Sequence, residues 1–346
     1  MPEPDSPLVF DGHNDVLLQL HRAGGRDAAA RFVEGRDGHL DLARARKGGF
    51  GGGFFAVFVP SPEGDAGLDG DDMATPPYDL ALPDPVAQTE AMAVALGEMA
   101  ILFRLEEMGA LAVCRTAGEI RAAMAARRIA AVLHLEGAEA IDADLAALEV
   151  FHRAGLRSLG PVWSRPTIFG EGVPFRFPGD GEAGGGLTEA GARLVRRCDE
   201  LGILVDLSHL NAAGIRDVAR LSTKPLVATH SNAHAVCPHA RNLTDAQLDM
   251  IAETGGLVGL NFAAAFLRAD GRMTEDVALE QMLRHLDHLM ARLGEDGVGL
   301  GSDFDGATIP AAIASAAGLP ALRGAMRAHG YGEALVGKLC RGNWLR

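Results

Sequence analysis

The chain has 346 residues, a formal net charge of −14 and a hydrophobic content of 48%. This length allows one large domain or two ordinary ones with a substantial core, and the composition is typical of a globular protein. The negative charge argues against nucleic acid or an anionic membrane surface as a partner.

The cysteines and the two ends of the chain carry no targeting or disulfide signal. The four cysteines are widely spaced without a C-x-x-C pair, which favours reduced thiols. The first residues, "MPEPDSPLV", lack the features of a signal peptide, and the last, "CRGNWLR", lack the apolar tail of a lipid anchor. Since no apolar run approaches the roughly 18 residues of a membrane span, we expect a cytoplasmic protein.

Eight short apolar runs predict buried β-strands, because each has strand length and lacks the alternation of a half-exposed strand. In chain order they are "PLVFDGHND", "GGFFAVFVP", "IAAVLHLEG", "GLRSLGPVW", "GILVDLSHL", "KPLVATHS", "GGLVGLNF" and "DGVGLGSDFDG". The stretch "GGFGGGFF", which leads into the second run, is more typical of a tight turn than of a dinucleotide-binding loop.

Amphipathic patterns between these runs predict helices. The segment "LTEAGARLVRRCDELG" has a predicted N-cap at Thr188 and a C-terminal Gly202, "NLTDAQLDMIAETGG" begins at Thr244, and "EDVALEQMLRHLDHLMARLG" closes at Gly294. Strands that alternate with helices indicate a parallel sheet. Eight of them fit a (β/α)₈ TIM barrel, as a single domain over residues 1–346, better than a doubly wound open sheet.

Two Pro/Gly-rich stretches interrupt this alternation. Residues 60–85 follow the second predicted strand, and residues 164–186 follow the fourth. Loops of this length in a compact domain usually form lids or bind ligands. In a barrel both would rise from the face where active sites are built.

Six residues of the types that bind metals or carry protons lie at the carboxyl ends of five predicted strands. Taken alone, the first pair, in "FDGHNDV", could be turn chemistry, although residues i and i+2 of a strand share a face. A buried cluster of this charge needs a cation to balance it. The six residues are His13, Asp15, Glu136, His209, His230 and Asp303.

The ligand types favour Zn²⁺ over Mn²⁺ or Fe²⁺, because imidazole and carboxylate groups occur together without a thiolate. Six candidates exceed the three protein ligands of a single hydrolytic zinc. The sequence therefore predicts two metal ions, bridged by one carboxylate and a hydroxide.

Five motifs in this order resemble the membrane (renal) dipeptidase family, binuclear zinc peptidases with an amidohydrolase-type barrel. They are "DGHND", "HLEG", "DLSH", "THS" followed by "RN" at 241–242, and "GSDFDG". The resemblance runs from about residue 8 to the C-terminus.

The resemblance implies a role for each matching residue. His13 and Asp15 correspond to ligands of one zinc, His209 and His230 to ligands of the other, and Glu136 to the carboxylate that bridges them. Asp303 corresponds to the family's acid/base residue. Arg241 corresponds to the arginine that holds the substrate carboxylate, a role that suits a guanidinium fork.

One position departs from the family. Many members end the fourth strand with "LTLTH", whose histidine binds substrate or the developing oxyanion, whereas this chain has "SLGPVW" with Trp163 at that position. Indole offers one N–H donor and a large flat face. Trp163 is therefore expected to contact substrate in a different way.

Other histidines and Asp305 favour structural roles. His134 faces the same way as Glu136 and is expected deeper in the barrel or behind the ligands, and Asp305 is expected to form a structural hydrogen bond. Loop or helix positions favour capping, packing or surface roles for His152, His234, His239, His285 and His288.

The resemblance implies hydrolysis of dipeptides, tolerance of a C-terminal D-residue, and a homodimer. A related amidohydrolase acting on an N-acyl amino acid, a cyclic amide or a lactone is the alternative. A barrel that binds metal or a partner without catalysis is a third possibility, and Trp163 is its only motive.

Overall fold

The computed structural model describes residues 7–24, 28–62 and 72–346. Its strands are β1 (Val9–Asn14), β2 (Phe50–Phe58), β3 (Tyr78–Asp79), β4 (Leu111–Val113), β5 (Ile129–Glu136), β6 (Leu156–Leu159), β7 (Arg176–Phe177), β8 (Leu204–Val205), β9 (Val227–Ala228), β10 (Leu257–Asn261) and β11 (Val298–Gly301). Its α-helices are α1 (Val16–Ala23), α2 (Ala28–Glu34), α3 (Leu42–Gly48), α4 (Gln88–Glu107), α5 (Ala117–Ala125), α6 (Ala146–Ala154), α7 (Glu189–Leu201), α8 (Ala212–Leu221), α9 (Asp245–Glu253), α10 (Ala264–Leu267), α11 (Leu279–Leu293), α12 (Leu319–His329), α13 (Glu333–Gly337) and α14 (Asn343–Leu345).

Eight parallel strands form a nearly closed barrel in chain order, β1-β2-β5-β6-β8-β9-β10-β11. The last strand pairs with the first, since Asp11 lies opposite Leu300. A single parallel bridge between Asp206 and Val227 joins β8 to β9. Each of the eight predicted runs contains or overlaps one of these strands, and the predicted (β/α)₈ barrel is confirmed.

The glycine-rich start of β2 corrects one prediction. The tight-turn interpretation of "GGFGGGFF" holds only for Gly49, whose φ is 72°, because β2 already includes the next three glycines. A Cβ at Gly52 would lie 2.3 Å from the carbonyl oxygen of Ala130 in β5, and one at Gly53 would lie 2.6 Å from that of Asp11 in β1. These glycines are therefore needed where β2 approaches both neighbouring strands.

The predicted helix ends are confirmed in α7, α9 and α11. Thr188 accepts a hydrogen bond of 3.1 Å from the first turn of α7, and Gly202 ends that helix with a φ of 69°. At α9, the N–H of Thr244 donates to Gln247 Oε1 over 2.8 Å. Gly294 follows α11 with a φ of 75°. Among the described residues, no helix has both the length and the apolar character needed to cross a membrane.

The two predicted long loops are joined to each other. Tyr78 in residues 60–85 pairs with Phe177 in residues 164–186 through the antiparallel strands β3 and β7, and the N–H of Leu80 donates to the Phe175 carbonyl over 2.9 Å. Residues 63–71 of the first loop lie outside the described part of the chain. Met73 of the first loop and Phe175 of the second lie near Glu136, at the carboxyl end of the barrel strands.

The amino end of the barrel is filled by aromatic side chains. The Trp344 ring from α14 lies 5.3 Å from Phe54 and 6.4 Å from Phe10, and its N–H donates to the Leu300 carbonyl over 3.0 Å. A Cβ at Gly299 would lie 2.5 Å from the indole nitrogen, so glycine makes room for the ring. Polar chemistry is concentrated at the opposite end.

Candidate metal centre and substrate pocket

The six strand-end residues come together at the carboxyl end of the barrel. All are at most 9% exposed. They are His13 in β1, Asp15 after β1, Glu136 at the end of β5, His209 after β8, His230 after β9 and Asp303 after β11.

Strand alternation only partly explains why the side chains of His13 and Asp15 lie close together. His13 Nε2 lies 3.4 Å from Asp15 Oδ2, but β1 ends at Asn14 and Asp15 is the residue immediately before α1. The turn into the helix therefore brings the carboxylate to the imidazole.

Glu136 lies at the centre of the cluster. Its Oε2 is 3.4 Å from His13 Nε2, while its Oε1 is 2.9 Å from His209 Nε2 and 3.5 Å from His230 Nε2. The two oxygens of one carboxylate thus face two different groups of side chains. This is the arrangement of a carboxylate that bridges two cations.

Three sets of potential ligand atoms each lie within 4.8 Å of one another. Glu136 belongs to one set with His13 and Asp15 and to another with His209 and His230. Asp303 completes the third set with His13 and His230, which places its carboxylate beside the candidate ligands.

Unsatisfied polar atoms at His13 fit a metal centre. The His13 side chain is fully buried, and neither ring nitrogen has a hydrogen-bond partner among the described residues. Buried polar groups normally have partners, and an imidazole that lacks one is suited to a cation. The donor set of imidazoles and carboxylates fits Zn²⁺.

Two hydroxyl groups orient the other two imidazoles, and the sequence interpretation missed both. His209 Nδ1 lies 3.0 Å from Ser164 Oγ, and His230 Nδ1 lies 2.8 Å from Thr229 Oγ1. Thr229 in turn donates to the Asp206 carboxylate over 2.5 Å. A proton held on each Nδ1 leaves Nε2 free to bind a metal.

Of these three residues, only Asp206 could have been identified from the sequence. Asp206 belongs to the quoted motif "DLSH" at a strand end, so its acidic type and position could have indicated it. Ser164 and Thr229 are neighbours of Trp163 and His230, but serine and threonine are too common beside strands to be singled out. Their roles follow from tertiary contacts alone.

Burial and mutual attraction determine the charges of the cluster. Burial alone would lower the pKa of His13 and raise that of Glu136, but their attraction reverses both shifts and carries each pKa well past its usual range. Burial, together with nearby Arg241, lowers the pKa of His209 to about 4. A metal cation bound among these groups would supply the positive charge that balances the buried carboxylates.

Asp303 has the backbone and environment of a functional residue. Its φ of 59° is uncommon outside glycine. Its Oδ2 accepts a hydrogen bond of 2.9 Å from Asn261 Nδ2, and burial raises the pKa of its carboxyl group. A strained and buried carboxylate at a pocket is typical of active sites.

A pocket of about 440 Å³ opens beside the cluster. Asp15, Glu136, His209 and Asp303 line its floor, and among the described residues that line it none is Lys or Arg. Its apolar walls and roof include Phe58, Met73, Trp163, Phe175, Phe266 and Met273.

Trp163 lies in the pocket wall beside the cluster. It is 2% exposed, and its ring centroid lies 5.1 Å from that of Phe58, 5.6 Å from Phe175 and 5.7 Å from His209. The indole therefore forms a fixed aromatic surface next to one of the candidate ligands.

Arg241 lies next to the candidate ligands, behind the pocket wall. Its Nη2 is 3.2 Å from His209 Nε2 and donates to the His230 carbonyl over 3.3 Å. The guanidinium carbon lies 5.5 Å from the Phe266 ring centroid. Burial lowers the pKa of Arg241 to about 10, so the group still carries a positive charge at neutral pH.

The other singled-out residues have structural contacts. His134 lies deeper in the barrel, with Nδ1 2.9 Å from Ser158 Oγ. Asp305 accepts hydrogen bonds from Arg36 and from the N–H of His39, as predicted. His152 lies in α6, His234 contacts the Gly179 carbonyl, His239 accepts the N–H of Arg241, His285 accepts the N–H of Ala233, and His288 contacts Asp245.

Sequence comparison identifies one family over nearly the whole chain. The family model described as membrane dipeptidase (peptidase family M19) matches residues 5–346. An uncharacterized protein from the pqqA 5′ region of Klebsiella pneumoniae is 46% identical over 251 residues, which are 72% of this chain and 93% of that protein.

Two solved structures agree in both sequence and fold. A metallo peptidase from Rhodobacter sphaeroides, liganded with a phosphinate mimic of the dipeptide L-Ala-D-Ala, is 58% identical with a TM-score of 0.96 over 99% of this chain and 98% of that one. The metallo peptidase named dipeptidase AC is 57% identical with a TM-score of 0.95, covering 99% of this chain and 97% of that one.

Proposed function

The chain belongs to the membrane dipeptidase family, peptidase family M19, and on this premise we propose that it is a zinc-dependent dipeptidase with two zinc ions per chain. The observation that carries the two-metal proposal is the position of Glu136, whose two carboxylate oxygens face two separate groups of potential ligands. His13 and Asp15 would hold one zinc, and His209 and His230 the other.

Zinc at this position would activate a water for attack on the peptide carbon and polarise the carbonyl oxygen. Asp303 takes the proton of that water and passes it to the leaving amine nitrogen, as general base and then general acid. Burial raises the pKa of Asp303, which favours proton transfer near neutral pH.

Arg241 binds the substrate's C-terminal carboxylate and so restricts the enzyme to short peptides. A guanidinium fork matches a carboxylate with two parallel hydrogen bonds. The Nε of Arg241 is buried without a hydrogen-bond partner among residues 7–24, 28–62 and 72–346, which supports a role for this group in binding an anion. The guanidinium would have to reorient from His209 toward the pocket to make this contact.

We propose that substrates include dipeptides with a C-terminal D-residue. The Rhodobacter sphaeroides relative carries a phosphinate mimic of L-Ala-D-Ala and is 58% identical to this chain. Trp163 contributes the flat wall of the pocket beside the scissile bond. The homodimer and the cytoplasmic location remain predictions.

Turnover of L-Xaa-D-Xaa and L-Xaa-L-Xaa dipeptides, with free or amidated C-termini, tests the proposal when zinc is measured in the same samples. We expect about two zinc ions per chain and a strong preference for free C-termini. Indifference to amidation would instead favour the alternative amidohydrolase on an N-acyl amino acid, cyclic amide or lactone. A content below about one zinc per chain would contradict the two-metal centre.

A further inference from the structure

A buried ion pair lies directly behind two walls of the substrate pocket. The Arg165 side chain is 0% exposed and that of Glu139 is 1% exposed. Arg165 Nε and Nη2 both donate to Glu139 Oε1, over 3.1 and 2.7 Å. Neither residue belongs to the candidate metal centre, and neither lines the pocket.

The same guanidinium connects three loops at the carboxyl end of the barrel. Besides Glu139 after β5, it donates to the Val59 carbonyl over 2.6 Å and to Ser61 Oγ over 2.7 Å, both after β2. Arg165 itself follows β6. One rigid, planar group with five donors therefore fixes the relative positions of all three segments.

The guanidinium also lies against both aromatic walls. Its carbon is 5.7 Å from the ring centroid of Phe58 and 5.6 Å from that of Trp163. Both rings line the pocket. Phe58 is the last residue of β2, and Trp163 lies in the segment after β6 that also contains Arg165. The Arg165 guanidinium thus contacts both the loops and the aromatic rings.

Stability alone does not explain such a pair. Removing two charges from water is costly, and apolar residues of similar volume are often as stabilising in their place. Apolar residues could not hold each loop in one orientation, because hydrogen bonds are directional and apolar contacts are not. The pair therefore contributes a defined arrangement of the three loops rather than stability.

We propose that the Arg165–Glu139 pair positions Trp163 and Phe58 and thereby sets which dipeptide side chains the pocket accepts. The part of this proposal that concerns substrate choice rests on the proposed dipeptidase function. The part that concerns the position of the Trp163 ring does not. Arg165 and Glu139 are positioning residues that act through the pocket walls.

The kinetic test uses Arg165→Lys and Glu139→Gln with L-Ala-D-Ala and L-Leu-D-Leu as substrates. We expect the ratio of the two kcat/KM values to shift by about tenfold in both variants, mainly through KM, with zinc content unchanged. Arg197→Lys is the matched control, because Arg197 forms a partly exposed pair with Glu149, away from the pocket. A purely structural role would lower both kcat/KM values equally, and an unchanged ratio in a folded variant would overturn the proposal.

Glu139→Gln keeps the size and hydrogen-bonding oxygen of the side chain, so it decides the question if Arg165→Lys does not fold. A spectroscopic test needs no activity. The chain has two tryptophans, so Trp344→Phe leaves Trp163 as the only one. In this background, Arg165→Lys should shift the emission and increase quenching by acrylamide, while Arg197→Lys should change neither.

The two tests separate the two claims. If the variants show altered fluorescence but the unsubstituted protein has no dipeptidase activity, the positioning of Trp163 is supported and the proposed function is rejected. Unchanged fluorescence in both Arg165→Lys and Glu139→Gln would overturn the positioning, whatever the activity.

Discussion

The two ends of the barrel are built from the same eight strands but bury different kinds of side chain. At the amino end, the ring of Trp344 packs against Phe10 and Phe54 and its one polar atom is hydrogen-bonded. At the carboxyl end, His13 is fully buried and neither of its ring nitrogens has a hydrogen-bond partner in the described part of the chain, and Asp303 has a strained backbone.

The difference indicates where the fold is stabilised and where it performs chemistry. Aromatic burial at the amino end stabilises the fold by itself. The buried polar groups at the carboxyl end destabilise the fold until a cation or a substrate compensates them. Substitutions at the two ends should therefore affect different measurements.

The largest effect is expected from Glu136→Gln. The substitution removes the charge shared by the two ligand groups, so we expect a loss of roughly 10,000-fold in kcat/KM and fewer than two zinc ions per chain. Turnover and metal analysis on the same sample measure both. Glu149→Gln, on the surface, is the control, and a Glu136→Gln enzyme with two zinc ions and nearly full turnover would contradict the bridging role.

Asp303→Asn should reduce kcat by about 100- to 1,000-fold while zinc content stays unchanged, because the amide cannot accept the proton. Asparagine tolerates the positive φ of 59°, so the fold should persist. Asp305→Asn is the matched control, since Asp305 also has a positive φ but binds Arg36. It should lower stability and leave kcat per folded molecule intact, and full turnover by zinc-loaded Asp303→Asn would reject the proton-transfer role.

At the other end, Trp344→Ala should lower the free energy of unfolding by about 3 kcal/mol, because it leaves a cavity among Phe10, Phe54 and the glycines of the strands. Urea denaturation measures this loss. The activity and zinc content of the folded fraction should remain within about twofold of the original. A loss of kcat/KM comparable to that of Asp303→Asn would show that the two ends are not separable.

The smallest effect is expected from Ser164→Ala, which removes the hydroxyl that contacts His209 Nδ1. We expect zinc affinity to weaken by about tenfold, measured by competition with a chelator. Ser158→Ala removes the equivalent hydroxyl from His134, which is not a candidate ligand, and should leave zinc affinity unchanged. Equal effects of the two substitutions would argue against an orienting role for Ser164.

Local patterns were sufficient for the elements of the barrel and for most of its site. Each apolar run contains or overlaps a strand, and the predicted caps at Thr188 and Thr244 lie at helix starts, because these signals depend on neighbouring residues alone. The glycines of β2 were misinterpreted as a turn, since their purpose is the close approach of strands distant in sequence. The pairing of β3 with β7 was missed for the same reason.

The sequence by itself determined the strand order, the residue types at the strand ends and the resemblance that connects them. Only the tertiary structure decided that Glu136 turns one oxygen to His13 and the other to His209. It also decided that Ser164 lies against an imidazole and that Arg165 joins three loops. Residue types and periodicities are local properties of the chain, whereas the direction of a buried polar side chain depends on every segment packed around it.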